Sequence, residues 1–248
     1  MTASSLSLAL DVRSATPMYL QVVQGLRTLI EQHAISEGAA LPGERELAGQ
    51  LGVSRVTVRQ ALRVLEEQGL VSRRHGSGTF VSPRRIVQPL SVLTGFSEDM
   101  RSRGLTPGGH VLSLERTRPS PQEAMNLTLG PAEEVVRLQR LRTADHEPLA
   151  LETSTMPGRL LGTVGPGDVE NTSLYAMLRA RGFTPARAIQ RLSARAADTE
   201  AARLLHVEMG SALLATERVT WDERGQVLEF ARALYRGDRY DFIAELKH

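Results

Sequence analysis

Three arginines at helical spacing are the first residues whose types and positions indicate a chemistry. Arg55, Arg59 and Arg63 lie four residues apart, so a helix through them lines up three guanidinium groups along one stripe. Guanidinium groups bind phosphates and the edges of guanine, so the stripe predicts contacts with a DNA major groove. A helix face that is simply exposed to solvent can have the same composition. The surrounding sequence must therefore decide between DNA binding and simple exposure.

The positive charge in this part of the chain is concentrated around the stripe. Residues 52–85 contain seven arginines and two glutamates, whereas residues 1–51 contain three arginines and five acids. A local excess of cations is the electrostatic pattern expected of a nucleic-acid-binding surface. The charge distribution therefore favours DNA binding.

Two helices are predicted to position the arginines. The first follows Pro42 over residues 44–51 and ends at Gly52. Ser54 can cap the second helix, which carries the arginines on one side. Its apolar residues recur at helical spacing and are predicted to be buried: Val58, Ala61, Leu62 and Leu65.

A hairpin and one more helix complete this predicted domain. After Gly69 the pattern changes to period two in LVSRR and TFV, with the turn HGSG between them. Before the arginine helices, YLQVVQGLRTLIEQHAI has the apolar spacing of an amphipathic helix. Three helices and a hairpin predict a winged helix-turn-helix.

The stretch from Leu41 to Val81 resembles the N-terminal domain of the GntR family of bacterial transcriptional regulators. The pieces ERELA, GVSRVTVRQAL, LEEQGL and GSGTFV occur in the order and at the spacing of that family. The resemblance implies DNA contacts at the positions that match the family's motif: Arg45, Ser54, Arg55, Thr57, Arg59, His75 and Gly76.

Length and composition predict two domains. A chain of 248 residues with 41% hydrophobic content can form two cores, and the absence of cysteine excludes disulfides and thiolate zinc sites. Residues 1–15 have no basic leader and only a short apolar run, too short for a secretory signal or a membrane span, and they are predicted to be a disordered arm. Residues 16–82 form the winged domain, residues 83–89 a linker rich in proline and arginine, and residues 90–248 the second domain. A cytoplasmic protein without membrane contact is expected.

The second half mixes strand and helix patterns. Strand-like alternation occurs in HVLSLERT, VVRLQRLRT, LALETSTM, LLATERVTW and VLEFARALY. Helical spacing occurs in SLYAMLRARG and DTEAARLLH, and ADHEP and DERGQ have the composition of hairpin turns. These patterns predict an α+β domain with an antiparallel sheet flanked by helices.

Two further arginines in this half indicate an anion site. Arg140 and Arg142 flank Leu141 on a predicted strand, so both guanidinium groups point to one face. Neighbouring cations repel each other unless an anion lies between them, although arginines on an edge strand are also common surface residues.

A second element is predicted to contribute to the anion site. Thr94, Gly95, Phe96 and Ser97 lead into the acidic turn SEDM, which can begin a helix. If Ser97 caps that helix, backbone N–H groups and hydroxyls form a cradle for an anion.

Most of the second half is similar to the effector-binding UTRA domain of the HutC-like branch of the GntR family, whose fold is related to chorismate lyase. The matching segments are GFSEDMRSRG, LQRLRTADHEPLALETSTMP, NTSLYAMLRARG and EFARALYRGDRYDF. The resemblance implies that Arg140 and Arg142 bind the effector's anionic group. It also implies that other residues line the rest of the pocket: Glu152, Ser173, Tyr175, Glu229 and Tyr235. Carboxylates and phenols suit a polyhydroxylated body and paired guanidinium groups suit a phosphate, so an amino-sugar or sugar phosphate is expected.

The expected function is a homodimeric repressor that binds a pseudo-palindromic double-stranded operator and is released by the effector. No catalytic residue, metal or cofactor is predicted, because the six histidines form no metal spacing or triad and no glycine-rich phosphate loop is present. Three alternatives remain. They are a chorismate-lyase-like enzyme fused to a DNA-binding domain, a regulator that responds to a non-phosphorylated organic acid or amino-acid catabolite, and the family branch with an all-helical, metal-binding effector domain.

Overall fold

The protein forms two compact units, residues 1–84 and residues 85–248. They are seen in a computed structural model that describes residues 6–32, 34–74, 77–82, 85–170 and 172–246. Each unit has its own buried core. None of the helices within these ranges is long and apolar enough to cross a membrane.

The first unit is a three-helix core with a two-stranded wing. Its elements are α1 (Met18–Glu31), α2 (Glu44–Leu51), α3 (Arg55–Glu67), β1 (Val71–Arg74) and β2 (Gly78–Val81). The two strands pair antiparallel, with Val71 opposite Val81 and Arg74 opposite Gly78. The winged helix-turn-helix predicted from the sequence is confirmed.

Local sequence determines where α2 ends and α3 begins. Gly52 follows α2 with a φ of 66°, a left-handed conformation that glycine adopts without a steric penalty. Ser54 caps α3, and its hydroxyl accepts a hydrogen bond from the Thr57 N–H at 3.1 Å. The apolar positions predicted for α3 are all buried, together with residues of α1 and α2: Val58, Ala61, Leu62, Leu65, Val22, Val23, Leu26 and Leu47.

The residues before α1 differ from the disordered arm predicted for residues 1–15. Leu6 is buried, and Leu8 and Leu10 pack against the core of the first unit. The Leu6 N–H also donates to Gln50 Oε1 at 3.1 Å. Burial of a leucine side chain stabilises a fold by about 1.5–3 kcal/mol, which explains why the LSLAL run lies on the core. Residues 1–5 are outside the described ranges.

The second unit is built on a six-stranded antiparallel sheet with the strand order β4-β5-β6-β9-β8-β7. A separate pair of short parallel strands, β3 and β10, completes its β structure. The strands are β3 (Ile86–Pro89), β4 (Pro107–Thr117), β5 (Val135–Ala144), β6 (Glu147–Pro157), β7 (Pro185–Ala196), β8 (Ala212–Asp222), β9 (Val227–Arg236) and β10 (Tyr240–Ile243). The helices are α4 (Phe96–Ser102), α5 (Pro121–Leu127), α6 (Gly158–Leu161), α7 (Pro166–Val169), α8 (Leu174–Ala180) and α9 (Thr199–Leu205). The predicted α+β class is confirmed, and the sheet excludes an all-helical effector domain.

Both predicted hairpins are present, whereas one edge strand was missed. Asp145 and His146 join β5 to β6 with φ angles of 47° and 69°, the left-handed pair that suits the twist of a hairpin. Residues 223–226 join β8 to β9. The strand β7 shows no clear alternation in sequence because most of its residues are exposed on both faces of the sheet edge.

The predicted linker, residues 83–89, includes a strand of the second unit. Ile86 lies opposite Tyr240 in the pairing of β3 with β10, and Ile86 is buried. The described part of this unit therefore starts before residue 90. Local sequence did not reveal the strand because its partner lies far along the chain, with Gln88 and Tyr240 separated by 152 positions.

Candidate functional site

The exposed face of α3 carries the predicted arginine row. Arg55, Arg59 and Arg63 all lie on the side of the helix away from the core. Arg59 donates hydrogen bonds to both oxygens of Glu44, with Nη2 2.9 Å from Oε2, and Arg63 Nε lies 3.0 Å from Glu67 Oε1. The hydrogen bond from Arg59 lowers the pKa of Glu44 below its ordinary value. Two of the three arginines are therefore ion-paired, and a phosphate must compete with these carboxylates.

The remaining predicted DNA contacts fall into two groups. Arg45 and Arg55 are exposed and form no ion pair with any residue of the described ranges. Ser54 and Thr57 lie side by side at the start of α3, with their hydroxyl oxygens 2.9 Å apart. These side chains surround the N-terminal turn of α3, the part of a recognition helix that reaches base edges.

Val56 is an apolar residue on this surface that the sequence interpretation missed. Its side chain is 70% exposed in the first turn of α3. An exposed apolar group there can contact the methyl group of thymine. Helical spacing gave the signal, because Val56 falls outside the apolar series that begins at Val58. The predicted contacts at the wing tip, His75 and Gly76, lie outside the described residues.

A small cavity in the second unit brings together nine of the eleven residues predicted to bind an effector. Its volume is about 20 Å³. Residues of α4, α8 and four strands surround it. The lining residues are Gly95, Phe96, Ser97, Arg140, Arg142, Glu152, Ser173, Leu174, Tyr175, Arg218 and Glu229.

The sheet register places charged residues of the cavity on both sides of β9. Arg140 on β5 lies opposite Glu152 on β6, which in turn lies opposite Ala233 on β9. On the next strand, Arg218 of β8 lies opposite Ala231. Charged residues of β6 and β8 therefore flank the two alanines of β9 in the sheet.

Arg140 is held by the protein itself. Its Nη2 lies 2.7 Å from Glu152 Oε1, and its Nη1 donates to the carbonyl oxygens of Val169 and Thr172 at 3.2 and 3.1 Å. Burial favours the neutral form of Glu152, but the charges of Arg140 and Arg142 outweigh burial and lower the pKa of Glu152 to about 2. The strand that carries Arg140 is an inner strand of the sheet, so the alternative of surface arginines on an edge strand is wrong.

Arg142 has far less compensation for its charge. Its Nη2 donates to Ser97 Oγ at 2.7 Å, and its guanidinium lies 4.6 Å from the centre of the Phe96 ring. Burial lowers the pKa of Arg142 to about 10, with Glu152 opposing the shift and Arg140 adding to it. Among the described residues, no carboxylate forms an ion pair with Arg142. It is therefore a buried cation in this cavity that an anionic ligand would stabilise.

Ser97 has a different position from the one predicted. The residue that caps α4 is Gly95, with extended backbone, and Ser97 lies inside the first turn. Its hydroxyl points to Arg142 and not to the backbone N–H groups of the helix. The predicted helix cap at Ser97 is therefore wrong, because the guanidinium group is a stronger donor for that oxygen than a backbone amide.

Arg218 is a cavity residue that the sequence interpretation missed. Its guanidinium lies 5.7 Å from the centre of the Tyr175 ring, and the Tyr175 hydroxyl is 3.2 Å from Thr220 Oγ1. Burial lowers the pKa of Arg218, but Tyr175 and Glu229 outweigh burial and raise it. The available signal was the charged pair Glu217 and Arg218 within the predicted strand LLATERVTW, although the sequence did not show which face Arg218 occupies.

Two predicted residues do not line the cavity. Thr94 contributes only its backbone carbonyl, which accepts from Arg218 Nη1 at 3.5 Å. Tyr235 packs against the ring of Tyr240, with the ring centres 4.5 Å apart, and burial raises the pKa of Tyr235 to about 12. Ser173 lines the cavity and also caps α8, where its hydroxyl accepts from the Ala176 N–H at 3.2 Å.

Glu229 gives a test of the electrostatics of the cavity. Burial raises the pKa of Glu229 above its ordinary value of 4.5, against the opposing attraction of Arg218, and Oε2 has no hydrogen-bond partner in the described part of the chain. An acid whose pKa rises on folding stabilises the folded state below its unfolded pKa and loses this contribution as the pH rises through the folded pKa. We therefore expect Glu229→Gln to raise the melting temperature, by an amount that grows as the pH rises above about 4.5.

Melting curves of the two proteins across that pH range measure this effect. Glu223→Gln, at an exposed acid in the turn after β8, is the matched control and is expected to show no such trend. A difference between wild type and Glu229→Gln that does not change with pH would contradict the assignment.

The fold and the two sites define a class of protein, a transcriptional regulator with a DNA-binding winged domain and a separate domain around a charged cavity. Residues 18–81 match the model of the bacterial regulatory proteins of the gntR family, and residues 102–241 match the UTRA domain. The chain therefore belongs to the GntR family, with a UTRA domain as its second domain.

Similar proteins match along nearly the whole chain. The chain is 36% identical to the HTH-type transcriptional repressor NagR of Bacillus subtilis (strain 168), over 94% of this chain and 96% of NagR. It is 30% identical to the mannosyl-D-glycerate transport/metabolism system repressor MngR of Escherichia coli (strain K12), over 93% and 97% of the two chains. The crystal structure of PhnF from Mycobacterium smegmatis matches with a TM-score of 0.72 at 31% identity, over 91% of this chain and 99% of PhnF.

Proposed function

We propose that this regulator is a cytoplasmic repressor without enzymatic activity that binds a pseudo-palindromic operator as a homodimer and releases it when a sugar phosphate or amino-sugar phosphate binds. The α3 helix of each protomer contacts one half-site through Arg55, Arg59 and the hydroxyls of Ser54 and Thr57, and Arg45 of α2 adds a further contact. Contacts to phosphates supply affinity, and contacts of α3 to base edges supply sequence preference.

One observation supports a phosphate-bearing effector. Arg142 is a buried cation, next to a second buried cation, and its nearest side-chain oxygen is the uncharged hydroxyl of Ser97. A phosphate offers charge and several acceptor oxygens to such a pair, and its bond to Arg142 would be charge-assisted. The carboxylates Glu152 and Glu229 can accept hydrogen bonds from hydroxyl or amino groups of a sugar. The relatives named as repressors support the sign of the response, and the name of MngR supports a carbohydrate-related ligand.

Direct DNA binding tests the proposal. The purified protein is expected to bind the DNA upstream of its own gene more tightly than a scrambled duplex at physiological salt, and glucosamine 6-phosphate is the first probe for release. Melting temperatures with sugar phosphates, organic acids and amino-acid catabolites identify the class of ligand, because a ligand of the native state raises the melting temperature. If only organic acids raise the melting temperature, the effector is an organic acid and not a sugar phosphate. Turnover of a probe would overturn the non-enzymatic role.

Arg59 is predicted to contribute to operator recognition. Arg59→Ala should weaken operator binding by about 1–3 kcal/mol and leave effector affinity nearly unchanged, because the side chain lies on α3 in the first unit. Fluorescence anisotropy with operator and random duplexes measures both affinities. An equal loss on both duplexes would reassign Arg59 to a backbone contact.

Glu44→Ala is the matched variant, because it removes the carboxylate that holds Arg59. It frees the guanidinium and removes a negative charge from the surface, so random DNA should bind more tightly. If neither Arg59→Ala nor Glu44→Ala changes the affinity for DNA, this ion pair does not lie in the DNA interface.

A further inference from the structure

The helix α4 belongs both to the effector cavity and to a second buried cluster. Its first residues, Phe96 and Ser97, contact the Arg142 guanidinium. Phe96 also packs in a cluster of buried residues that includes Met100, Ile86 and Tyr240. One seven-residue helix therefore contacts the effector arginine at one end and the strands β3 and β10 along its length.

Within the cluster, Tyr240 connects α4 to β3 by polar contacts. Its hydroxyl oxygen lies 3.0 Å from Asp99 Oδ2 on α4 and 3.0 Å from Gln88 Oε1 on β3. A phenol has one proton, and the carboxylate is the stronger acceptor, so we assign the proton to the bond with Asp99. Gln88 then makes the second bond with its carboxamide turned so that N–H faces the phenol oxygen. Arg103 holds the other carboxylate oxygen of Asp99 at 2.7 Å.

The strand β3, which Tyr240 contacts through Gln88, is the segment through which the chain enters the second unit. The boundary between the two units falls between residues 84 and 85, and β3 begins at Ile86. The Ile86 N–H donates to the Arg239 carbonyl at 2.7 Å, and the Leu90 N–H donates to the Ile243 carbonyl at 2.8 Å. A shift of β3 therefore acts on the residues that are joined covalently to the DNA-binding unit.

The small size of the cavity requires an element around it to move when a ligand binds. Its volume of about 20 Å³ is roughly that of one water molecule, whereas sites for small organic ligands measure about 300–1,000 Å³. An effector as large as a sugar phosphate fits only if an element over the sheet moves. Through Ser97 and Phe96, α4 contacts the cation that the ligand would engage.

We propose that Tyr240 is the positioning residue that couples the effector cavity to β3, through its hydrogen bonds to Asp99 of α4 and Gln88 of β3. Ligand binding to Arg142 competes with Ser97 and moves α4, and the Asp99 carboxylate carries the Tyr240 hydroxyl and β3 with it. Burial raises the pKa of Tyr240, so the hydroxyl remains a donor throughout the neutral pH range. The inference rests on the proposed function of the cavity as the effector site.

Hydrogen exchange tests the coupling in the full-length protein without any ligand. Arg142→Ala removes the contacts of the guanidinium with Ser97 and Phe96, and so releases the cavity end of α4. It is expected to change the exchange rates of the Ile86 and Leu90 amides by about tenfold. In the Tyr240→Phe background, which keeps the ring and removes only the hydroxyl, Arg142→Ala should change them less than about twofold.

Two further variants make this result specific. Tyr19→Phe makes the same chemical change in the first unit and should leave the effect of Arg142→Ala intact. Gln88→Met breaks the last step of the path and should act like Tyr240→Phe, which keeps the test valid if Tyr240→Phe does not fold. If Arg142→Ala affects β3 equally with and without the Tyr240→Phe substitution, or equally with and without Gln88→Met, the coupling is overturned.

The response of DNA binding to glucosamine 6-phosphate supplies the second measurement. Tyr240→Phe should bind this probe with the affinity of the wild type, but the change in operator affinity that the probe causes should fall about tenfold. A full response in Tyr240→Phe overturns the coupling. If the wild type itself does not bind the probe, the proposed effector class fails, and the hydrogen-exchange result alone decides the role of Tyr240.

Discussion

Arg142→Ala is expected to weaken the binding of a phosphate-bearing effector by about 100-fold or more while the melting temperature stays the same or rises. Two charge-assisted hydrogen bonds to a buried phosphate account for about 3 kcal/mol, and about 1.4 kcal/mol corresponds to tenfold in affinity. The free protein loses little, because Arg142 is buried next to Arg140 and its direct hydrogen bond goes to the neutral hydroxyl of Ser97. Removal of an undercompensated buried cation relieves a desolvation penalty.

Isothermal titration with glucosamine 6-phosphate measures the affinity, and thermal unfolding measures the stability. Arg224→Ala is a suitable control, because Arg224 is exposed in the turn after β8 and does not line the cavity. Operator binding without ligand should persist in the Arg142→Ala protein. Retention of wild-type effector affinity by this variant would show that the cavity is not the anion site.

Arg140→Ala is expected to have its largest effect on folding. It removes the partner of Glu152, whose side chain is only 13% exposed, and leaves that carboxylate as a buried charge without its ion pair. Loss of one member of a buried ion pair costs about 3–5 kcal/mol, which for a protein of this size lowers the melting temperature by roughly 10 °C. The double variant Arg140→Met/Glu152→Met removes both charges and should recover most of this loss.

Thermal and denaturant unfolding of the single and double variants measure the difference. Thr153→Ala, at the neighbouring position on β6 but away from this cavity, is the control for substitution in the strand. A single variant as stable as the wild type would show that the ion pair of Arg140 contributes nothing. A double variant as unstable as the single one would assign the loss to packing and not to the charge of Glu152.

These two predictions give different roles to Arg140 and Arg142, which are indistinguishable in the sequence pattern. Arg140 donates to two backbone carbonyls and a carboxylate, so it organises the cavity. Arg142 has a direct hydrogen bond only to a hydroxyl oxygen among the described residues, so it favours an anion in the cavity more than Arg140 does. A test that used Arg140 alone would confuse loss of the effector with loss of the fold.

On the exposed face of α3, the sequence likewise predicted where the arginines lie but not which residues they pair with. Helical spacing placed Arg55, Arg59 and Arg63 correctly on the exposed side of α3. It did not show that Glu44, on the preceding helix, forms an ion pair with Arg59. Exposed ion pairs contribute little stability, so this pair can open at a low cost when a phosphate or a base edge replaces the carboxylate.

The sequence by itself determined the elements whose signals are local. Periodicity, the cap at Ser54 and the left-handed Gly52 placed α3 and its buried residues, and the paired turns placed the hairpins of the sheet. Motif resemblance added the family and six of the residues that line the cavity, and the predicted helix start at residues 94–97 added three more. These signals succeed because hydrogen bonds within a helix or hairpin join residues that are close in sequence.

Only the tertiary structure decided what depends on distant partners. The strand β3 is a strand because β10 pairs with it, and Arg218 belongs to the cavity because β8 lies beside β9 in the sheet. The different roles of Arg140 and Arg142 follow from which oxygens reach each guanidinium, and those oxygens come from separate helices and loops. Burial and charge compensation are properties of three-dimensional neighbours, so a linear pattern indicates which residues carry charge but not which charges are balanced.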